Sequence, residues 1–217
     1  MSTAADSGYP SGPIPQVHGT DPASLVLPPS ADRLVEVWPE PVWVPEGERP
    51  PSWWLIGAHG GAGVSMLASS WSIAGDAMGA FPGGFEEESP FLVVVARESA
   101  WGLDRAHDLL TQHLSGYGGA GILLGLVTVA AHPGKIHPRL RQRREVIGGL
   151  VDDRLWRIPW IEDWISMTAA EVPVWTPATP ISTGRKREPA AIAVPREVAE
   201  VGADIRATIL DHLRATQ

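Results

Sequence analysis

The sequence predicts an α/β domain: a compact, open, mainly parallel sheet with flanking helices, an extended N-terminal arm and a C-terminal helix. Three observations predict it. Residues 53–56 form an apolar run that stops at a glycine cluster, and a run of small and apolar residues follows directly. Residues 91–96 are apolar without interruption, as expected of a strand covered on both faces. Strand-like and helix-like segments then alternate as β, α, β, α, β, α, β, the order produced by right-handed crossovers on a parallel sheet.

Composition sets the outer limits. A chain of 217 residues accommodates one α/β domain with tails, and 44% hydrophobic residues suffice to bury a core. No apolar run approaches the roughly 20 residues that span a bilayer. Residues 1–19 lack the apolar stretch of a signal peptide. With no cysteine there is no disulfide framework and no thiolate chemistry, so cytoplasmic residence is the simplest expectation. A formal net charge of −8 opposes general binding to nucleic acid or to an anionic membrane surface.

Taken in order, residues 1–50 are rich in Pro, Ser, Gly and acidic residues, and the first thirty are expected to be disordered. Short apolar pieces at 34–38 and 42–44 are broken by Pro39, Pro41 and Pro45, which confines them to an edge strand or an arm lying on the core. Trp38 and Trp43 either anchor that arm or belong to a partner-binding surface. The core spans 51–170. After strand 53–56, Leu67, Trp71 and Ala74 recur at helical spacing and predict a helix over 65–77. Residues 79–90 read as a loop in which Glu86, Glu87 and Glu88 make a solvated acidic turn.

Strand 91–96 is followed by a helix over 101–114, with Leu103, Ala106, Leu110 and Leu114 on one face. Residues 116–121 match the pattern G-x-G-x-x-G, but they follow a helix and precede a strand, the reverse of a dinucleotide site. They read as a flexible connection. A strand over 121–131, a helix over 138–151 with Pro138 as its first residue, and a strand over 156–160 complete the core. Residues 171–194 are a proline-rich linker containing Gly184-Arg185-Lys186-Arg187. In 195–217, Val198, Val201, Ile205, Ile209 and Leu213 form one helical stripe, interrupted by Gly202 at a cost of about 1 kcal/mol relative to alanine. Such a helix is marginal alone and should dock on the core or on a second copy, making a homodimer.

The glycine cluster carries the functional reading. A P-loop requires Gly, four residues, Gly, Lys, then Ser or Thr. Aligned on Gly63, this chain has Ala58, His59, Gly60, Gly61, Ala62, Gly63, Val64 and Ser65. The spacing and loop shape persist while Val64 replaces the lysine. Main-chain N–H groups and a following helix still favour an anion, so residues 59–65 are candidates for binding a nucleotide or phosphate. A purely structural glycine loop is the competing reading. Ser65 stands where a magnesium-binding hydroxyl would be.

His59 to Ser65 resembles the deviant P-loop of ParA/MinD-type ATPases, in which a lysine, two glycines, a variable residue, glycine, lysine and Ser/Thr follow in order. Both lysine positions differ here, as His59 and Val64. The wider pattern, through 92–97, 124–127 and 156–160, resembles an uncharacterised actinobacterial family. The resemblance covers roughly residues 50 to 167. It implies a reduced P-loop NTPase-like core, with ATP or ADP and magnesium as the cofactor. It further implies a pseudo-ATPase that serves as an interaction or scaffold protein, with protein partners, in a mobile-element or DNA-transfer system.

Hydrolysis in the usual manner lacks the P-loop lysine, the signature lysine and a strand-end acid for the metal. Asp76 is placed at a helix end, and the segment before strand 91–96 is too short for the extra strands of a full ParA-type domain. An active partition or transfer ATPase would need a replacement cation from Arg97, Arg157 or a second subunit.

Rival chemistries find less support. The His-Gly-Gly segment resembles an esterase oxyanion hole, but the chain contains no G-x-S-x-G elbow. His107 and His113 do not share a helix face, and His132 and His137 straddle a Pro-Gly turn, so no transition-metal site is expected. The densest basic stretch comprises Lys135, Arg139, Arg141, Arg143 and Arg144. It reads as a solvated helix face, or, through Lys135, Arg139, Arg143 and Arg144, as a patch for DNA or an acidic partner.

Overall fold

Five parallel strands pair in the order β2-β1-β3-β4-β5, which is a doubly wound arrangement. They are β1 (Trp53–Gly57), β2 (Ala74–Asp76), β3 (Phe91–Arg97), β4 (Ile122–Val129) and β5 (Leu155–Ile158). Four α-helices accompany them: α1 (Val64–Ser70), α2 (Ala100–Gln112), α3 (Pro138–Gly148) and α4 (Arg196–Ala215). The structure, a computed structural model, describes residues 26–47, 49–181 and 189–216. Most of the stretch expected to be disordered, and the basic linker residues 184–187, lie outside the described residues.

The alternation of side chains along each strand divides the core into two layers. Trp53, Leu55, Val93, Val95, Val127 and Val129 face α1 and α4, where they meet Leu67, Val198, Ile205 and Ile209. Trp54, Ile56, Leu92, Val94 and Ala96 face α2, α3 and the N-terminal arm, against Leu103, Ala106, Leu110, Ile147 and Val42. The expected parallel sheet with flanking helices, an extended arm and a C-terminal helix is therefore what the chain forms.

The predicted helix over 65–77 requires correction. The backbone leaves α1 at Trp71 (φ −117°, ψ 107°) and becomes extended. Ser72 N–H donates to Trp175 O (3.0 Å), and Trp175 N–H donates to Ser70 O (2.8 Å). The Trp71 indole N–H donates to Val198 O on α4 (2.9 Å). Trp71 is thus buried, as its spacing suggests, but by tertiary pairing. The chain then forms the short strand β2 beside β1, where the sequence reading placed the end of the helix. Gly75 lets this strand pass Trp54, because a Cβ there would lie 2.6 Å from the indole ring.

The arm is stitched to the core. Trp38 N–H donates to Phe81 O and Phe81 N–H to Glu36 O, both at 2.9 Å, while the Trp38 indole donates to Ala77 O. Trp43, by contrast, is 79% exposed and anchors nothing. Glu88 is not part of a merely solvated turn. Its carboxylate accepts from Val42 N–H (2.7 Å), Gly84 N–H (3.0 Å) and Phe85 N–H (3.1 Å), clamping the arm to the loop. Leu114 turns outward because a π-helical turn, His113–Tyr117, follows α2 and breaks its face. No helix among the described residues is long and apolar enough to cross a membrane.

Candidate phosphate-binding crevice

From β1 the chain winds one way, through α1 to β2; from β3 it winds the other way, through α2, β4 and α3 to β5. The loops leaving β1 and β3 therefore diverge, and ligands of open α/β sheets occupy the crevice at this reversal, beyond the carboxyl ends of the strands. Residues 58–63 are the loop leaving β1.

Ala62 N–H closes a turn on His59 O (3.2 Å), and Gly61 and Gly63 adopt positive φ angles of 79° and 105°. Among the described residues, no acceptor is bonded to the N–H groups of Gly60, Gly61, Gly63 or Ser65. Gly60, Gly61 and Ser65 are exposed. Val64, where the P-loop pattern has lysine, is buried under the loop among the core residues that include Val129. A Cβ on Gly57 would stand 3.1 Å from the Val64 Cγ2. Aliphatic carbon thus fills the place of the cation.

His59 splints this loop to the end of β3. Its Nδ1 lies 2.8 Å from Gly60 O, and its Nε2 lies 3.3 Å from Arg97 N–H. A carbonyl only accepts and an N–H only donates, so these contacts suit the tautomer with its proton on Nδ1. In that state His59 cannot replace the positive charge of the signature lysine. The ring packs on the exposed Trp101 at a centroid distance of 4.6 Å. Gly102 makes this approach feasible, since a Cβ there would meet Arg97 O at 2.4 Å and His59 Nε2 at 2.9 Å.

Asp76 ends strand β2 rather than a helix, and it reaches the loop. Ser65 Oγ donates to Asp76 Oδ2 (3.0 Å), while Met78 N–H donates to Asp76 Oδ1 (2.8 Å). A hydroxyl beside one carboxylate suits magnesium, which takes one or two protein carboxylates and completes its shell with phosphate and water. Among the described residues, no group of three or more His, Cys, Asp or Glu is arranged to hold a metal by itself. Extending α1 through residue 77 concealed this pair from the sequence reading. Neither proposed replacement residue sends its guanidinium to the loop. Arg97 donates through Nη1 to Ala130 O (3.3 Å), and Arg157 is engaged by Glu98.

The four patch residues Lys135, Arg139, Arg143 and Arg144 do not act together. Helix α3 packs beside α2 and the end of β4, which engages two of them, Arg143 in a half-exposed ion pair and Arg144 inward. Arg143 pairs with Asp104. Arg144 donates to Thr128 Oγ1 (2.9 Å) and Trp156 O (3.1 Å), and burial lowers its pKa from the ordinary arginine value. Lys135 and Arg139 remain exposed.

Sequence reasoning missed Glu98, which is 4% exposed and receives both arms of the Arg157 fork at 2.8 Å. Its only sequence signal is an acid next to the end of an apolar strand. No protein-family model matches this chain, and neither a curated protein nor a solved structure is significantly similar to it.

Proposed function

We propose that the chain is a non-catalytic nucleotide- or phosphate-binding protein of the β1/β3 crevice. In this reading it acts as an interaction or scaffold protein, in the mobile-element or DNA-transfer setting that the ParA/MinD resemblance implies. The carrying observation is that the glycine loop lies at the reversal of strand order, with Ser65 Oγ 3.0 Å from the strand-end Asp76. The unbonded N–H groups would hold a phosphate, and Ser65 and Asp76 would hold a magnesium ion that supplies counter-charge to it. ATP or ADP with magnesium is the corresponding ligand. Buried Val64 and neutral His59 leave the terminal phosphates without the cation that stabilises charge during transfer, which supports binding without turnover.

Asp76 favours one second reading, an ATPase completed by a cation from another subunit, because it supplies one of the three missing parts. A DNA-binding accessory role for residues 138–151 gains little from Arg143, which is paired with Asp104, or from Arg144, which is bonded inward.

Calorimetry with ATP and ADP, with and without magnesium, tests the proposal. Binding by the native chain should be lost in Gly63→Asp and should lose its magnesium dependence in Ser65→Ala, an exposed and conservative change. Phosphate release should stay at the buffer rate. Release in proportion to protein concentration squared would instead support the two-subunit ATPase. Absence of binding at millimolar nucleotide would leave the loop structural.

A further inference from the structure

A second concavity opens on the same edge of the sheet, between the β4–α3 connection and β5. Its volume is about 630 Å³, and His132, Lys135, His137, Arg141 and Arg157 line it with Ile136 and Pro138. Five of these side chains carry basic nitrogen, and no carboxylate lines the cavity. This concentration arises in a chain whose net charge is −8.

Arg157 is held in place by its pairing with Glu98. Its Nε and Nη2 each lie 2.8 Å from a Glu98 oxygen, which leaves Nη1 without a partner among the described residues. Thr128 Oγ1 lies 3.2 Å from the same carboxylate and accepts from the inward-turned Arg144, so a second layer fixes the fork. The His137 Nδ1 accepts from Arg139 N–H (3.3 Å), which leaves Nε2 as the ring's donor. The Nδ1 of His132 donates to Pro133 O (2.8 Å). Arg141 has Glu145 at 4.0 Å with both side chains largely exposed, and Lys135 has no partner among the described residues. Residues carrying donors of fixed and adjustable geometry thus line one concavity.

We propose that this cavity binds a small phosphorylated ligand, a phosphate monoester dianion held by Arg157, Arg141, Lys135 and His137. Charge-assisted donors from guanidinium and ammonium groups suit a tetrahedral oxyanion with several acceptor oxygens. A small ligand fits better than nucleic acid, because the cations line a concavity and Arg143 and Arg144 do not extend them into a stripe. The site uses no residue of the glycine loop and stands independently of the function proposed above.

The test follows the ring ¹H–¹⁵N signals of His132 and His137 during titration with inorganic phosphate, then with phenyl phosphate. Potassium chloride at matched ionic strength is the control. Saturation is expected near about 1 mM, weakened at least about tenfold by combining Lys135→Ala with Arg141→Gln, and unchanged by Gly63→Asp. Both substituted cations are exposed, so the fold is not at stake. A response that chloride reproduces, or one indifferent to the double substitution, overturns the proposal. Loss of binding in Gly63→Asp would move the phosphate to the glycine loop and also overturn it. Displacement by duplex DNA at far lower concentration would replace the small ligand with nucleic acid.

Discussion

Glu98 and Arg157 show how much depends on single side chains at the carboxyl edge of the sheet. Glu98 is buried, and its charge is compensated by the Arg157 fork. Removing the arginine leaves a carboxylate without its counter-charge in a site that water reaches poorly. Arg157→Ala is therefore expected to lower unfolding free energy by about 3 kcal/mol in urea titrations, and Glu98→Leu combined with Arg157→Met should recover most of it. A loss below about 0.5 kcal/mol would show the pair to be a solvated surface contact.

His113 makes the second residue-scale prediction. Burial, opposed in part by its hydrogen bond to Gly118 O, lowers its pKa below the ordinary histidine value, and the ring stacks on Phe81. The unfolded chain then binds the proton more readily than the native one. The contribution is fully present above about pH 6.5 and is lost as the pH falls from there through the lower folded-state value. Urea midpoints at pH 7.5 and 5 should diverge in the native chain and converge in His113→Phe. These residues were poorly legible in the sequence. An isolated acid or histidine gives no periodic signal, and its importance depends on chain segments brought to it from far away.

Elements were legible where one physical signal dominated. The unbroken apolar run of β3, the face of α2 and Pro138 at the start of α3 each report local chemistry that the fold retains. The end of α1 was not legible. Apolar spacing at Leu67 and Trp71 fits a helix, yet Trp71 is buried by pairing with a segment about one hundred residues away. β2 is only three residues long and contains Gly75, so it carries no alternation to detect.

Gly202 belongs to this scale as well. It interrupts the apolar stripe of α4 where a Cβ would lie 2.7 Å from the Trp71 Nε1 and 3.0 Å from the Trp175 ring. Helix propensity alone makes Gly202→Ala stabilising by about 1 kcal/mol. Overpacking at the indole should reverse that sign, with a net loss of about 1–2 kcal/mol in thermal or urea unfolding. A stabilised variant would mean that α4 is packed loosely enough to shift.

At the scale of the molecule, α4 completes one layer of the core. Val198, Val201, Ile205 and Ile209 are buried against the chain itself, so of the two docking modes the sequence allowed, this chain uses the intramolecular one. The sheet order gives the glycine loop its significance. Sequence spacing identified a loop of phosphate-cradling shape, but only the parallel pairing of β1 with both β2 and β3 places it at the reversal of winding, next to Asp76. That pairing depends on β2, which the sequence concealed.

The most direct test of the crevice as the ligand site is amide hydrogen exchange of the native chain with and without magnesium ADP. Protection is predicted at Gly60, Gly61, Gly63 and Ser65, whose N–H groups lack a bonded acceptor among the described residues, with smaller effects around Trp101. Protection confined to other parts of the sheet edge, or no change at saturating nucleotide, would contradict the account.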